Sequence, residues 1–448
     1  AEAGSGTRWG LVVTDADGRE VLAISPDKRF IPASNTKVFT TAATMRAAAA
    51  GEFAPAPTRV RLEGTGKAQD VVIEGHGDPH LSAAPGCTSD CLAALADAVA
   101  ARTRRVRNVV GDDTAFPDQR WSPGMSWNNI PTRSGTGISA LTIDDNEIGA
   151  VVTPGAPGAA PTVSLPPYYQ VENHARTVDG DTVDLGFDRA PNGKILVLAG
   201  TIGASAKPEE LRLGVDDPAH YAAWRFAEML RARGVKVAGQ ATSRHRPLLP
   251  SDDPEARGGV PPVRPPLQPA LAELTPPPLG ETVRTVNKIS QNLYAELLVR
   301  RLGLVRGTGS IADGQVMIEA MLAEAGVADD AVSLSDGSGM SSYNRVSPRG
   351  MTKLLRWIAR QPWGAEWRAT LPVGGIDGTL GRRFGGTALA QRIFAKTGSL
   401  NATNALAGYL TAASGRELTF AFYANDVPEG VSATQFMDRA LLAIAAAN

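Results

Sequence analysis

The chain is poor in the residues that most often announce a chemistry. Of 448 residues only two are cysteine and five are histidine, and 45 basic side chains against 46 acidic ones leave a net charge of −1. That balance argues against a protein whose main work is neutralising phosphates, which carries a basic excess or stripe. No nucleic-acid partner is expected. No apolar run of about 18 residues or more is present, so no transmembrane segment is expected. The histidines His76, His80, His174, His220 and His245 are scattered, with no ligand pair beside the cysteines, so no metal and no cofactor are expected. There is also no G-x-S-x-G turn, which leaves a Ser–His–Asp machine without its usual anchor.

What is plentiful is glycine, 47 residues, and proline, 32, a loop-rich composition short of a disordered one. At about 100–200 residues per domain, the length predicts two to four domains. Cys87 and Cys91 stand four apart where the chain turns helical. They are two reduced thiols or, as expected here, a disulfide suited to an oxidising compartment. The opening Ala1-Glu2-Ala3-Gly4 lacks a Met, a basic stretch and an apolar leader, and reads as a mature or trimmed product whose export signal has gone. An extracytoplasmic location is the expectation.

The organisation follows from punctuation. β-rich runs at 11–13 and 21–24 flank the turn Asp15-Ala16-Asp17-Gly18. From 35 to 50 the chain carries no Gly or Pro until Gly51, which predicts a helix with Ser34 at its mouth. Short strand and helix candidates then alternate to about residue 245. Eleven of the 32 prolines fall between Pro247 and Pro278, a stretch that cannot be a central strand or a helix. Helices are predicted at 291–302, 313–325 and 433–447, and strands at 405–410 and 418–423. Strands at both ends with helices between predict one α/β (α+β) sandwich interrupted by a large insertion. Residues 1–58 and 268–448 form its two halves, and 59–267 are inserted β-rich domains, one nested in the other at roughly 85–150.

Nucleophilic hydrolysis needs a hydroxyl, a base within reach and donors for an oxyanion. A lysine can act as the base if its pKa falls far enough for a neutral amine to exist near pH 7. Ser34-Asn35-Thr36-Lys37 offers this, because a three-residue step on a helix places Lys37 one turn above Ser34. The free N–H groups of the helix mouth favour negative charge there. Ser25-Pro26-Asp27-Lys28 matches S-x-x-K equally well but sits in a turn with no helix after it. Of four S-x-N copies, starting at Ser126, Ser290, Ser342 and Ser399, only Ser290 opens a helix with apolar residues at helical spacing. K-T-G occurs once, at Lys396-Thr397-Gly398, where the lysine supplies a fixed cation and the glycine allows close backbone approach. The ordered triple is a signature shared by penicillin-binding proteins and class A β-lactamases.

With those residues, the chain resembles the low-molecular-mass class C penicillin-binding proteins, the D-alanyl-D-alanine carboxypeptidase/endopeptidase family (serine peptidase family S13). Gly75-His76-Gly77-Asp78-Pro79, Asp336-Gly337-Ser338-Gly339-Met340-Ser341 and Gly375-Ile376-Asp377-Gly378-Thr379-Leu380 are also similar to family blocks, in family order. The resemblance implies a penicillin-binding-protein/β-lactamase-like transpeptidase domain, with an antiparallel five-stranded sheet flanked by helices, and a serine DD-peptidase that cleaves D-Ala-D-Ala in peptidoglycan stem peptides and also D-Ala-diaminopimelate cross-links. It implies that Ser34 is acylated, Lys37 takes its proton, Ser290 passes a proton to the leaving amine and Asn292 holds Lys37 and the substrate amide. Lys396 and Thr397 would receive the terminal carboxylate, with Gly398 and Ser399 beside it, and the N–H groups of Ser34 and Ser399 would form the oxyanion hole. β-Lactam antibiotics would acylate Ser34 as covalent inhibitors.

Two departures bear on specificity. Many relatives have Arg where this chain has Ser342, and Tyr near Pro131-Thr132-Arg133. Arg133 is the candidate for the missing cation. The alternatives are a β-lactamase-type hydrolase, which clears penicillin, and a catalytically idle peptidoglycan-binding protein, which has no need of an activated serine.

Overall fold

The terminal strands are apolar on both faces, and such strands are stable only in a sheet covered on both sides. The computed structural model describes residues 6–66, 69–264 and 266–448; the opening Ala1–Gly4 read above lies outside them. In it, Arg8–Thr14 and Glu20–Ile24 join Ile393–Leu400, Thr403–Thr411 and Glu417–Asn425 in one antiparallel sheet. The N-terminal strand lies between the last strand and its own hairpin partner, with Leu11 opposite Phe422 and Val13 opposite Phe420. Side chains alternate across the sheet. Leu406, Leu410, Phe420 and Phe422 pack with Met437 and Leu441 of the closing helix Ala433–Ala447. Ala405, Ala407, Tyr409, Ala421 and Tyr423 pack instead with Val38, Phe39 and Met351 on the other face.

That second face holds the helix Thr36–Ala49, which is buried on nearly all sides. A helix so placed must satisfy its polar side chains internally. Thr40 donates to Gly337 O (2.7 Å), Thr41 to Lys37 O (2.7 Å) and Thr44 to Thr40 O (2.8 Å). The helices Asn292–Arg306 and Ile311–Glu324 pack beside it.

Between the two halves of this sheet lies the inserted part. Its main sheet orders the strands Ala241–Arg246, Val109–Pro117, Asp70–Glu74, Arg59–Glu63 and Ala272–Glu273. The helices Leu92–Arg102 and Pro218–Ala232 share its core, Leu95, Val99, Phe226 and Leu230 meeting Val71 and Ile73. Two findings revise the expected boundaries. Ala272 and Glu273 pair with Val60 and Arg59, so the inserted sheet reaches past residue 267 and we place the return crossing at about 274–278. Val109–Pro117 pairs in parallel with both Asp70–Glu74 and Ala241–Arg246, so much of 85–150 belongs to the outer unit. We place the nested unit at 147–214, where the strands Glu147–Thr153, Thr162–Ser164 and Glu209–Gly214 form one sheet and those between Gln170 and Gly203 another. Parallel pairing over such distances leaves no local trace in a sequence. Cys87 and Cys91 are disulfide-bonded, with Cys91 at the mouth of the helix Leu92–Arg102.

Candidate active site

Ser34 lies in the turn Ala33–Asn35 that feeds straight into Thr36–Ala49. The turn is sharp enough to drive Ala33 to φ +47°, a left-handed conformation costly for any residue with a Cβ. Gly339, at φ +90°, holds its backbone against it: a Cβ there would stand 1.9 Å from Ala33 O. From the other side a Cβ on Gly398 would come within 2.6 Å of Pro32 O and 3.1 Å of Ser34 N. Only glycine lets both segments come this close to the serine. Asn35 adds a tie by donating to Lys396 O (2.8 Å).

Lys37 is 0% exposed, and its amine reaches Ser34 Oγ (3.0 Å), Asn292 Oδ1 (2.7 Å) and Ser338 O (2.5 Å). All three acceptors are neutral. Burial pulls its pKa from 10.5 down to about 7, while the more distant Asp336 and Glu296 resist the fall. Those carboxylates are tied elsewhere. Glu296 accepts from the N–H groups of Gly337 (3.0 Å) and Ser338 (2.9 Å) and from Arg300 (2.8 Å). Asp336 accepts from the N–H groups of Gly339 (2.9 Å) and Ser341 (2.6 Å) and from Asn344 (2.7 Å). Burial and Glu296 raise Asp336 to about 6.

The second lysine, Lys396, is likewise 0% exposed and donates to Ser290 Oγ (2.9 Å) and Thr397 O (3.0 Å). Burial, and then the charge of Lys37, hold its pKa well below the usual lysine value. Two buried amines close together disfavour a double charge, which adds to the fall of Lys396. Ser290, at φ +62°, sits just before the helix that carries Asn292. Lys37 thus holds Ser34 and Asn292 in one hydrogen-bonded group and Lys396 holds Ser290 in a second, the two tied by Asn35 donating to Lys396 O. Thr397 faces Thr379 across 2.7 Å (hydroxyl to hydroxyl), and Ser399 is exposed at the end of the same strand. The second S-x-x-K copy stays in a turn, Lys28 N donating to Ser25 O.

The inserted part forms the far wall. Asn292 Nδ2 donates to Ser134 O (3.1 Å), and Ser341 Oγ to Pro123 O (2.5 Å). Arg133 is partly exposed and faces Glu147 at 3.9 Å, where Glu147 also holds Arg212. Ser342 is exposed, its hydroxyl donating to Gly124 O (3.0 Å). Glu296, Asp336 and the carbonyl of Ser338 escaped the sequence reading as site residues. The Asp336–Gly339 block marked the place but not the role, because a carboxylate acting through backbone N–H groups has no spacing signature.

Comparison with known proteins agrees with the geometry. A family model described as D-Ala-D-Ala carboxypeptidase 3 (S13) family matches residues 2–446. The chain is similar to the D-alanyl-D-alanine carboxypeptidase of an Actinomadura species, 33% identical over 93% of this chain and 77% of that protein. It is 24% identical to D-alanyl-D-alanine carboxypeptidase DacB of Haemophilus influenzae, over 95% of this chain and 87% of that one. The crystal structure of penicillin-binding protein 4 (dacB) from Haemophilus influenzae superposes with a TM-score of 0.80 at 23% identity, covering 96% of this chain and 92% of that one. A second structure of that protein, complexed with a β-lactam, gives 0.77 at 22% identity, over 99% and 97% of the two chains. The fold is therefore that of penicillin-binding protein 4.

Proposed function

Since the chain belongs to the D-Ala-D-Ala carboxypeptidase 3 (S13) family of serine hydrolases, we propose that Ser34 is its nucleophile and Lys37 the base that activates it. One observation carries this reading. Lys37 is buried against three neutral acceptors, one of them Ser34 Oγ at 3.0 Å. An ammonium donates a hydrogen to each. A neutral amine keeps two for Asn292 Oδ1 and Ser338 O and turns its lone pair to the serine. With a pKa near 7 the neutral form is already present at neutral pH.

The substrate we propose is a peptidoglycan stem peptide ending in D-Ala-D-Ala, outside the cytoplasm. Ser34 Oγ attacks the penultimate carbonyl carbon as its proton passes to Lys37 Nζ. The oxyanion lies at the N–H groups of Ser34 and Ser399, close to the helix mouth. The C–N bond then breaks, and the leaving amine of the terminal D-Ala takes its proton through Ser290 Oγ, which Lys396 holds. Lys396 and Thr397 attract the terminal carboxylate, and water afterwards releases the acyl group from Ser34. A β-lactam carries the equivalent amide in a ring, so its leaving group stays attached and the Ser34 ester persists.

The test is the release of D-alanine from a diacylated peptide ending in D-Ala-D-Ala, by the unaltered protein and by Ser34→Ala. We expect release by the first and a loss of about a thousandfold or more in the second. Equal release by both, or none by either, contradicts the proposal.

A further inference from the structure

A second cavity, of about 370 Å³, lies in the inserted part beside the helix Pro218–Ala232 and the strand Ala241–Arg246. That volume falls in the range of small-ligand sites. Arg120, Lys194, Asp216, Asp217, His220 and His245 line it, with the ring of Tyr169 as an apolar wall. Its two carboxylates are already satisfied. Asp216 accepts from both terminal nitrogens of Arg189 (2.6 and 2.5 Å) and from the N–H of Asn192. Asp217 accepts from Ser243 Oγ (3.0 Å) and the N–H of His220 (2.9 Å), and stands 3.2 Å from His245 Nε2.

The cations differ from one another. Arg120 is committed to Asp118 (2.8 Å) and to Asp216 O (3.0 Å). Lys194, at the rim, has its ammonium 3.4 Å from the centre of the Tyr168 ring and 5.5 Å from that of Tyr169. It meets no carboxylate or carbonyl at hydrogen-bonding distance among the described residues. The rings hold the ammonium in place without neutralising it, and the side chain stays open to solvent. The unmet capacity of the cavity is therefore for an anion. Its position supplies the source: Arg120 also lines the hollow beside Asn292 and Ser134 in the catalytic cleft.

We propose that this cavity is a second peptide subsite, in which Lys194 receives a carboxylate of the stem peptide remote from the bond being cut. The proposal rests on the peptidase reading above. A substrate that runs from Ser34 past Asn292 and Arg120 reaches Lys194, whereas a short substrate ends in the cleft.

The experiment compares kcat/KM of the unaltered protein and of Lys194→Met on three peptides with the same D-Ala-D-Ala end. One is a short diacylated peptide, one a full stem peptide with free carboxylates, and one the same stem peptide amidated at those carboxylates. Lys194→Met should lower kcat/KM about tenfold on the free-carboxylate peptide, through KM, the usual scale of one charged hydrogen bond. It should leave the short and amidated peptides unchanged. The same loss should appear when the unaltered protein is given the amidated peptide, which needs no substitution and so carries no folding effect. A variant that treats the free-carboxylate peptide as the unaltered protein does overturns the subsite. Failure of the unaltered protein to cut the short peptide would instead sink the peptidase reading.

Discussion

Lys37 and His245 are both enclosed basic groups, one in the catalytic cleft and one in the inserted part, and the fold treats them in opposite ways. His245 has Asp113 at 2.9 Å from Nδ1 and Asp217 at 3.2 Å from Nε2. Hydrogen bonds donated to these two carboxylates raise its pKa from 6.5 to about 10. Lys37 is buried more completely, receives only neutral partners, and falls to about 7. The carboxylates that could have paired with it, Glu296 and Asp336, are occupied by backbone N–H groups. A buried cation given counter-charges ties strands together: His245 joins the strand Ala241–Arg246 to Val109–Pro117 and to the cap of Pro218–Ala232. A buried cation denied them keeps a proton in play near neutral pH.

Substitution separates the two roles. Lys37→Met should lower kcat/KM by about a thousandfold or more. It should leave the melting temperature equal or higher, because an amine desolvated without a counter-charge gives way to an apolar chain of similar length. His245→Ala should do the reverse. It leaves Asp113 and Asp217 without the imidazolium between them, at a cost of about 3 kcal/mol in denaturant unfolding, while the activity per folded molecule on a short diacylated peptide is kept. The stabilisation from His245 is full below about pH 6.5 and is lost as pH rises through about 10, the folded value lying above the unfolded one. A His245→Ala protein as stable as its parent would remove the contrast.

A smaller effect is expected at a third kind of buried charge. Asp78 and Asp90, 2% and 7% exposed, each leave carboxylate oxygens without a hydrogen-bond donor among the described residues. Burial and then Asp78 push Asp90 up to about 8. The fold favours its protonated form, so this contribution to stability declines as pH rises from about 3.8 and is gone above about 8. Asp90→Asn should flatten the melting temperature over that interval by removing the ionisable partner. An unchanged pH profile would show that the pair does not share a proton.

Much of the cleft was legible because its chemistry is local. Ser34 and Lys37 are one helical turn apart, Lys396, Thr397 and Gly398 are consecutive, and Ser290 stood out from three other S-x-N copies by opening a helix. The left-handed turns at Ala33 and Ser290 were not legible, since residues with a Cβ adopt them only when surrounding packing imposes it. Nor was the strand order of the outer inserted sheet, where neighbours are chosen by parallel pairing across more than a hundred residues: Thr242 lies beside Val110. The partner of Arg133 was not legible for a related reason. A cation in a loop selects its carboxylate in space, and Glu147 is the one this fold presents.

The account depends on a lysine that is neutral near pH 7 beside Ser34, and the rate of penicillin acylation against pH tests it most directly. Intact mass would follow the adduct over time, with peptide mapping to locate it. We expect a slowly hydrolysed adduct on Ser34, formed at a rate that climbs with an apparent pKa near 7 and then levels off. A rate that begins to climb only toward the ordinary lysine value of 10.5, or an adduct on any other residue, would contradict it.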